Sequence, residues 1–241
     1  MKFKSLTLAL TLGGLLVSLT NTAQAQSEPW KFQLAPLWIW AANIEGTSTI
    51  GTLPPVPLDL DFQDDVLENL DSLFTIHFEG QQGDWGFLTE YTHVGLDIPL
   101  GPIDIDFVVD IAEFGVTRRV NDRFEVLGGA RYTSMEIDIA PAPILADENW
   151  VDVFVGGRVN VPLNERWTFV ARADIGAGDS DLVWNVVAHA DYRFNEKYTG
   201  FIGYRILDYD FETGSGASTF AFDGSIEGVI AALVIHWGGT R

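Results

Sequence analysis

The chain has 241 residues, of which 47% are hydrophobic, and its 34 acidic and 14 basic side chains give a net charge of −20. Because contacts with nucleic-acid phosphates need lysine and arginine, this balance argues against DNA or RNA as a partner. The chain has no cysteine, which argues against a small disulfide-stabilised scaffold and removes thiol chemistry.

The first 25 residues have the organisation of a secretory signal peptide. Lys2 and Lys4 form a basic start, an apolar stretch follows, and Ala23-Gln24-Ala25 supplies the small residues of a cleavage site. The apolar stretch is short for a membrane-spanning helix, and no later segment has the length and apolarity of one. We therefore predict a signal peptide at 1–25 and one exported domain at 26–241, which is either soluble or a membrane β-barrel.

Ten segments with strand character follow one another in the exported part. They are predicted at about 30–45, 72–81, 85–98, 103–120, 123–139, 150–162, 166–176, 182–194, 198–211 and 220–237. Turn-forming residues mark four short connections, at 83–84, 121–122, 164–165 and 195–197, and the connections between them are longer on average. This alternation is typical of outer-membrane barrels, which have an even strand number and short periplasmic turns.

The faces of the strands indicate what surrounds them. In the arm LVWNVVAHADYRF, the even positions are apolar, whereas Asn185, His189, Asp191 and Arg193 share the other face. An arginine facing lipid at mid-membrane costs roughly 2–4 kcal/mol, so mid-strand arginines should point inward. Applied to Arg131, Arg158 and Arg172, this rule leaves an apolar outer face on three strands, for example Val151, Val153, Val155, Val159 and Val161 beside Arg158.

The predicted fold class is therefore all-β: a transmembrane, antiparallel, up-and-down β-barrel of ten strands, with eight as the alternative. It is expected in the bacterial outer membrane as a monomer.

Two segments are irregular. The fourth strand changes the parity of its apolar residues, so we predict a β-bulge near 109–112 or an upper part that stands above the membrane and packs elsewhere. In the first long loop, Phe62, Val66 and Leu70 have helical spacing behind a capping Asp61, which predicts a short amphipathic helix over or in the barrel mouth, or a plain surface turn.

Acidic and basic residues of nearly equal number face the inferred lumen. Unpaired buried charges would be expensive, so we expect a salt-bridge network that braces the barrel, with a pore lining as the functional alternative. Tight pairing of the arginines across the axis would plug the barrel, whereas arginines along one wall would let water pass. The predicted network consists of Glu79, Glu90, Glu113, Glu125, Arg131, Arg158, Arg172, Asp174, Asp191, Arg193 and Arg205.

The outer loops are acidic and lack lysine and arginine. Such a one-signed mouth should attract small cations, including divalent ions that bridge to lipopolysaccharide phosphates. The loops show no EF-hand spacing, and we predict neither a defined metal site nor a cofactor. The predicted acidic mouth consists of Asp61, Asp64, Asp65, Glu68, Asp147, Glu148, Asp208 and Asp210.

Catalytic patterns are weak in this sequence. The histidines are His77, His93, His189 and His236, and their spacing suggests neither a Ser-His-acid set nor a metal-ligand pair on a helix. His77 with Glu79 and His189 with Asp191 could be acid–base pairs, but we assign them to the salt network. We therefore predict that the chain is not an enzyme and has no catalytic residues.

Three segments resemble a family of uncharacterised Gram-negative outer-membrane barrels of small, porin-like type. They are PLWIWAANIEG at 36–46, LENLDSLFTIHFEGQQGDWGFLTEYTHVGLD at 67–97 and GYRILDYDFE at 203–212. The resemblance implies the barrel fold, contact with outer-membrane lipid and lipopolysaccharide, and insertion by the barrel-assembly machinery, but no catalytic residues. Barrels of this class often finish on an aromatic residue, whereas here Gly-Gly-Thr-Arg follows Trp237.

The sequence thus favours a small, narrow, cation-preferring passive channel with an acidic extracellular mouth. The alternative is a non-conducting structural or surface-interaction barrel that contacts lipopolysaccharide or an external partner through its acidic loops.

Overall fold

The computed structural model describes residues 28–100, 102–141 and 144–239, so the predicted signal peptide lies outside the described part. No helical segment within these residues has the length and apolarity needed to cross a membrane. The strands are β1 (Lys31–Ala35), β2 (Trp38–Ile50), β3 (Val56–Leu60), β4 (Leu70–Gln82), β5 (Trp85–Leu100), β6 (Ile103–Arg119), β7 (Phe124–Ala140), β8 (Ile144–Pro162), β9 (Trp167–Gly178), β10 (Leu182–Arg193), β11 (Tyr198–Thr213) and β12 (Phe220–Gly238).

The strands close into one antiparallel barrel. From β4 to β12 each strand pairs with the next in the chain. Strands β1 and β2 are two halves of one barrel strand, interrupted at Pro36, which has no N–H to give to a ladder. Both halves pair with β12, and β1 also pairs with β4, which closes the ring. Because β3 is an extension beside β2, the barrel has ten strands, as predicted, and the eight-stranded alternative is wrong.

The four short turns lie at one end of the barrel, which we call the turn end; the opposite end is the loop end. Three of these turns have the same hydrogen-bond pattern, in which an asparagine Oδ1 accepts hydrogen bonds from the backbone N–H groups two and three residues later. Asn121, Asn164 and Asn195 each make these two bonds, at 2.8–3.0 Å. Both described chain ends are also here, since Lys31 pairs with Gly238 and with Gln81.

Strands extend further toward the loop end than the sequence predicts. Strand β8 begins at Ile144 rather than near Trp150, β2 continues to Ile50, and β3 is an additional short strand. The segment before Trp150 is strand although it carries Asp147 and Glu148, because the buried Ala146 and Trp150 keep the alternation on its inner face. Asp147 on the outer face and Glu148 on the inner face interrupt the apolar alternation, which is why the sequence pattern did not indicate this part of the strand.

In the turn-end half, the predicted register is confirmed. Arg131 is completely buried in the interior, whereas Val153 and Val155 on the outer wall are 65% and 63% exposed. The outer wall is apolar at this level and the interior is charged, which is the arrangement of a barrel in lipid.

Toward the loop end the two faces exchange polarity. Strand β6 pairs with β5 and β7 without any shift in register, so the predicted bulge is wrong. Its odd residues face inward throughout: Phe107 and Val109 are buried in the interior, while Phe114 and Val116 are exposed on the outer wall. The parity of the strand is constant, and the barrel interior changes from charged to apolar along its length.

The upper interior is a continuous hydrophobic core. Its members come from strands all around the ring: Ile44, Leu96, Phe107, Val109, Ile111, Met135, Ile137, Ala146, Trp150, Val183, Leu207, Tyr209, Phe211, Phe220, Phe222 and Ile226. The predicted short helix is a five-residue π-helical turn, Phe62–Val66, and Asp61 caps it by accepting from the N–H groups of Gln63 and Asp64. Phe62 and Val66 pack on this core, so the turn covers the loop end, whereas Leu70 belongs to β4.

Candidate functional site

The centre of the lumen holds a closed ring of two arginines and two carboxylates. Arg131 Nη2 lies 2.7 Å from Glu113 Oε2 and 2.8 Å from Asp174 Oδ1. Arg172 completes the ring, with Nη1 2.7 Å from Glu113 and Nη2 2.8 Å from Asp174. Both guanidinium groups also lie over the ring of Phe154, at 5.1 and 5.3 Å from its centroid. Each charge has opposite charges as neighbours, which offsets the cost of removing it from water.

A chain of polar contacts extends from this ring across the lumen. Asn185 donates to Asp174 at 2.8 Å and accepts from Arg205 at 3.0 Å, and Arg205 pairs with Glu90. His77 lies 3.0 Å from both Glu90 and Glu79. Arg158 then holds Glu79 through two hydrogen bonds, at 2.6 and 3.0 Å, and Glu125 at 2.8 Å.

Two of the ion pairs cross the barrel axis. Glu79 on β4 and Arg158 on β8 are four strands apart around the ring, and so are Glu90 on β5 and Arg205 on β11. Of the predicted network the structure brings nine residues together, along with His77 and Asn185: Glu79, Glu90, Glu113, Glu125, Arg131, Arg158, Arg172, Asp174 and Arg205. Asn185 was on the polar face of the sequence pattern, but only the structure makes it the link between two parts of the network.

Two predicted members stand apart from this network. Asp191 Oδ1 lies 2.7 Å from His189 Nδ1, nearer the turn end. Arg193 is exposed at the rim and makes no ion pair with any described residue.

A cavity of about 530 Å³ lies between the network and the turn end. Its outer part is lined by Lys31, Arg119 and Asp122, and it reaches inward to Glu90 and Arg205. The lumen therefore has three sections: a vestibule at the turn end, a charged network in the middle and an apolar core at the loop end.

Aromatic packing closes the apolar section. The rings of Trp150 and Phe211 stack with centroids 4.1 Å apart, and Tyr209 meets Trp150 edge-on at 5.6 Å. The Tyr209 hydroxyl forms a 2.7 Å hydrogen bond with Thr133, whereas the buried Trp150 Nε1 has no hydrogen-bond partner among the described residues.

The predicted acidic mouth does not surround an opening. Asp208 and Asp210 alternate with the buried Leu207 and Tyr209, so both point outward from β11. Asp147 is exposed on the outer side of β8, whereas Glu148 is half-buried on the inner side. Asp61, Asp64, Asp65 and Glu68 lie on the capping turn, where Asp65 also accepts a hydrogen bond from the Asp61 N–H. Together with outward acids such as Asp106 and Asp138 they form an acidic collar around the loop end.

Within the described residues, no group of three or more His, Asp or Glu side chains is arranged to hold a metal ion. One histidine is placed differently from the others. His93 lies on the outer wall between Ser72 and Asp110, within hydrogen-bond distance of both. Sequence spacing gave no sign of this set, because its members come from three different strands.

No protein-family model and no curated protein matches the chain. Among solved structures, Ail, the attachment invasion locus protein of Yersinia pestis, is 9% identical at a TM-score of 0.35, covering 87% of this chain and 99% of that chain. The translocator domain of the autotransporter NalP from Neisseria meningitidis is 12% identical at 0.36, covering 89% and 88%. A FadL homologue from Pseudomonas aeruginosa is 9% identical at 0.34, covering 88% and 90%. These scores are low, and no functional argument follows from them.

The architecture of the chain itself decides its class. An even number of antiparallel strands closes into a ring through the pairing of β1 with β4, and an apolar outer band surrounds the charged part of the interior. Exposed aromatic residues flank that band, Trp30, Trp85, Trp167 and Trp237 near the turn end and Tyr132 and Tyr204 on the other side. These are the features of a membrane-spanning barrel in lipid, and the chain is a β-barrel of the Gram-negative outer membrane.

Proposed function

We propose that this protein is a non-conducting outer-membrane barrel that presents an acidic surface at its loop end. The observation that carries the proposal is the apolar core in the upper lumen. Trp150, Tyr209 and Phe211 pack against one another there, with centroids 4.1–5.6 Å apart for Trp150 and its two neighbours. An ion crossing this section would lose its hydration without gaining polar partners, which is costly.

The charged network supports the same proposal. Arg158 and Arg205 each pair with a carboxylate four strands away, Glu79 and Glu90. Arg131 and Arg172 are held by Glu113 and Asp174 on the same or nearby strands. Charges held by one another in this way brace the barrel and leave few free groups to hold a continuous file of water.

The outer surface supports a role in surface contact. All described lysines and arginines lie in the lumen or near the turn end: Lys31, Arg118, Arg119, Arg123, Arg131, Arg158, Arg166, Arg172, Arg193, Lys197 and Arg205. The acidic collar is therefore one-signed and concentrates cations. Divalent ions could join its carboxylates to lipopolysaccharide phosphates. This role requires no catalysis by the barrel.

Conductance of the refolded protein in a planar bilayer tests the first part of the proposal. The wild type should be silent, and a double variant without the plug, Trp150→Gly with Phe211→Gly, should give discrete steps. Steps from the double variant would show that the refolded barrel inserts into the bilayer, so that silence of the wild type cannot be a failure of insertion. Steps from the wild type would refute the proposal.

The second candidate is a narrow cation-preferring channel, which the vestibule of about 530 Å³ favours. It would require the apolar core to move aside. In the same bilayer under a salt gradient, this candidate predicts wild-type steps with a cation-selective reversal potential.

Binding to lipopolysaccharide vesicles tests the surface role. Binding should need Mg²⁺ and should weaken on addition of EDTA. Neutralising Asp208 and Asp210 to Asn should weaken it, whereas Glu196→Gln, a matched change at the turn end, should leave it unchanged. Equal binding by both variants would argue against the collar as the contact surface.

A further inference from the structure

Three side chains on the outer wall of the barrel are arranged in a line. Ser72 Oγ lies 3.0 Å from His93 Nε2, and His93 Nδ1 lies 2.9 Å from Asp110 Oδ1. They come from the neighbouring strands β4, β5 and β6. One ring nitrogen faces the hydroxyl and the other faces the carboxylate, which is the geometry in which an imidazole can take a proton from a serine while an acid holds its orientation.

The backbone is shaped to bring Ser72 into this line. The register between β4 and β5 shifts between Leu70 and Ser72, which marks a β-bulge. Leu70 pairs with the inward Leu96, but after the bulge Ser72 pairs with the outward Gly95. Without the extra residue Ser72 would face the interior, so the bulge turns its hydroxyl toward His93.

Gly95 leaves the space that the hydroxyl occupies. A Cβ at this position would lie 2.4 Å from Ser72 Oγ, so any side chain there would force the hydroxyl to move. The acid is also fixed from a second side, because the Tyr91 hydroxyl donates to Asp110 Oδ1 at 2.6 Å. The His93 and Asp110 side chains are 29% and 25% exposed, so the set is packed yet reachable from outside.

The set lies where the apolar belt meets the acidic collar. Below it on the outer wall are Tyr132 and Phe114, and above it are Asp97, Asp106 and Asp138, all of them exposed. Aromatic residues mark the level of lipid headgroups in membrane proteins. The ester bonds of a lipid lie near this level, next to the end of its acyl chains.

We propose that Ser72, His93 and Asp110 form an esterase site that hydrolyses acyl esters of membrane lipids. The proposal goes beyond the surface role of the barrel, because it gives the outer wall a chemical activity. Ser72 is the nucleophile and His93 the general base. Asp110 and Tyr91 are positioning residues, since they act through the imidazole.

The reaction needs only water as co-substrate. Ser72 Oγ attacks the ester carbonyl carbon while His93 Nε2 takes the hydroxyl proton. The bond from that carbon to the alkoxy oxygen breaks, His93 gives the proton to the departing alcohol, and the acyl group remains on Ser72. Water then gives a proton to His93 and its oxygen to the acyl carbon, and the fatty acid leaves as the proton returns to Ser72.

A purely structural account predicts something different. In that account the four polar groups only satisfy one another at a partly lipid-facing surface. Ser72 would then have no unusual reactivity, and its removal would affect stability alone.

The experiment uses the refolded mature barrel in lipid vesicles. A fluorophosphonate probe should label the wild type but not Ser72→Ala, and fatty acid should be released from glycerophospholipid or from lipopolysaccharide. Ser72→Ala and His93→Gln should each lower the release rate by about a thousandfold or more. Ser134→Ala, which removes the outward serine opposite Asp110 on β7, should retain wild-type labelling and release. Comparison of the two lipids identifies the source of the ester.

Two further variants separate catalysis from folding, which circular dichroism monitors in every case. Asp110→Asn should lower kcat with little change in KM, because it disturbs the imidazole and not lipid binding. Gly95→Ala should reduce labelling by displacing the Ser72 hydroxyl, although it changes no member of the set. The proposal is overturned if the folded wild type is not labelled and releases no more fatty acid than Ser72→Ala from either lipid.

Discussion

Replacement of Arg131 by alanine should strongly destabilise the barrel. The Arg131 side chain is completely buried, and it contacts Glu113 and Asp174 at 2.7 and 2.8 Å. Its removal leaves two buried carboxylates facing one arginine. Breaking a buried ion pair by deleting one partner costs about 3–5 kcal/mol, and we expect about 3 kcal/mol because Arg172 still contacts both carboxylates.

Equilibrium unfolding in urea, with the refolded protein in lipid vesicles and tryptophan fluorescence as the signal, measures this loss. Arg193→Ala is the matched control, because Arg193 is an exposed arginine without an ion pair to a described residue; it should cost less than about 0.5 kcal/mol. An Arg131→Ala variant within about 1 kcal/mol of the wild type would refute the reasoning.

A double variant tests whether charge balance is the cause. Arg131→Met with Glu113→Gln removes one charge of each sign from the ring, so it should be less destabilised than the sum of its two single changes. A coupling of about 0.5–3 kcal/mol is typical of contacting residues. Additive effects would mean that packing, rather than charge pairing, makes Arg131 important.

Three further changes test the polarity of the two faces and the turns, each measured by the same unfolding assay. Val153→Arg, in the lipid-facing belt, should lower the free energy of unfolding by roughly 2–4 kcal/mol, whereas Asp210→Arg in the outward collar should lower it far less. Equal losses in the two variants would mean that Val153 does not face lipid. Phe107→Ala should cost about 3–5 kcal/mol because it leaves a cavity in the upper core, while Phe114→Ala on the same strand should cost much less if it only faces lipid. Gly83→Ala should cost about 1 kcal/mol, because Gly83 has φ +58° with open space around it; a neutral result would show that this turn relaxes easily.

The sequence determined the local organisation of the strands. Alternation with a period of two is visible in any single segment, and the high cost of an arginine in lipid then fixes which face is inside. For this reason Arg131, Arg158 and Arg172 could be assigned to the lumen, and ten strands could be counted, before any contact was known. The asparagine turns were equally readable, because their hydrogen bonds join residues two and three positions apart.

Only the tertiary structure decided how distant residues meet. Charge pairs such as Glu79 with Arg158 join strands on far sides of the ring, and sequence distance says nothing about contacts across a closed sheet. The apolar upper interior was also hidden, because sequence reasoning assumed a wet lumen along its full length and therefore read the constant parity of β6 as a bulge. The bulge that the structure contains, between Leu70 and Ser72, was not predicted. One extra residue moves all the following side chains of a strand to the opposite face, and no particular residue type signals it. It is this single residue that brings Ser72 to His93 and Asp110. The proposed esterase site therefore depends on barrel closure and register, which no local pattern encodes.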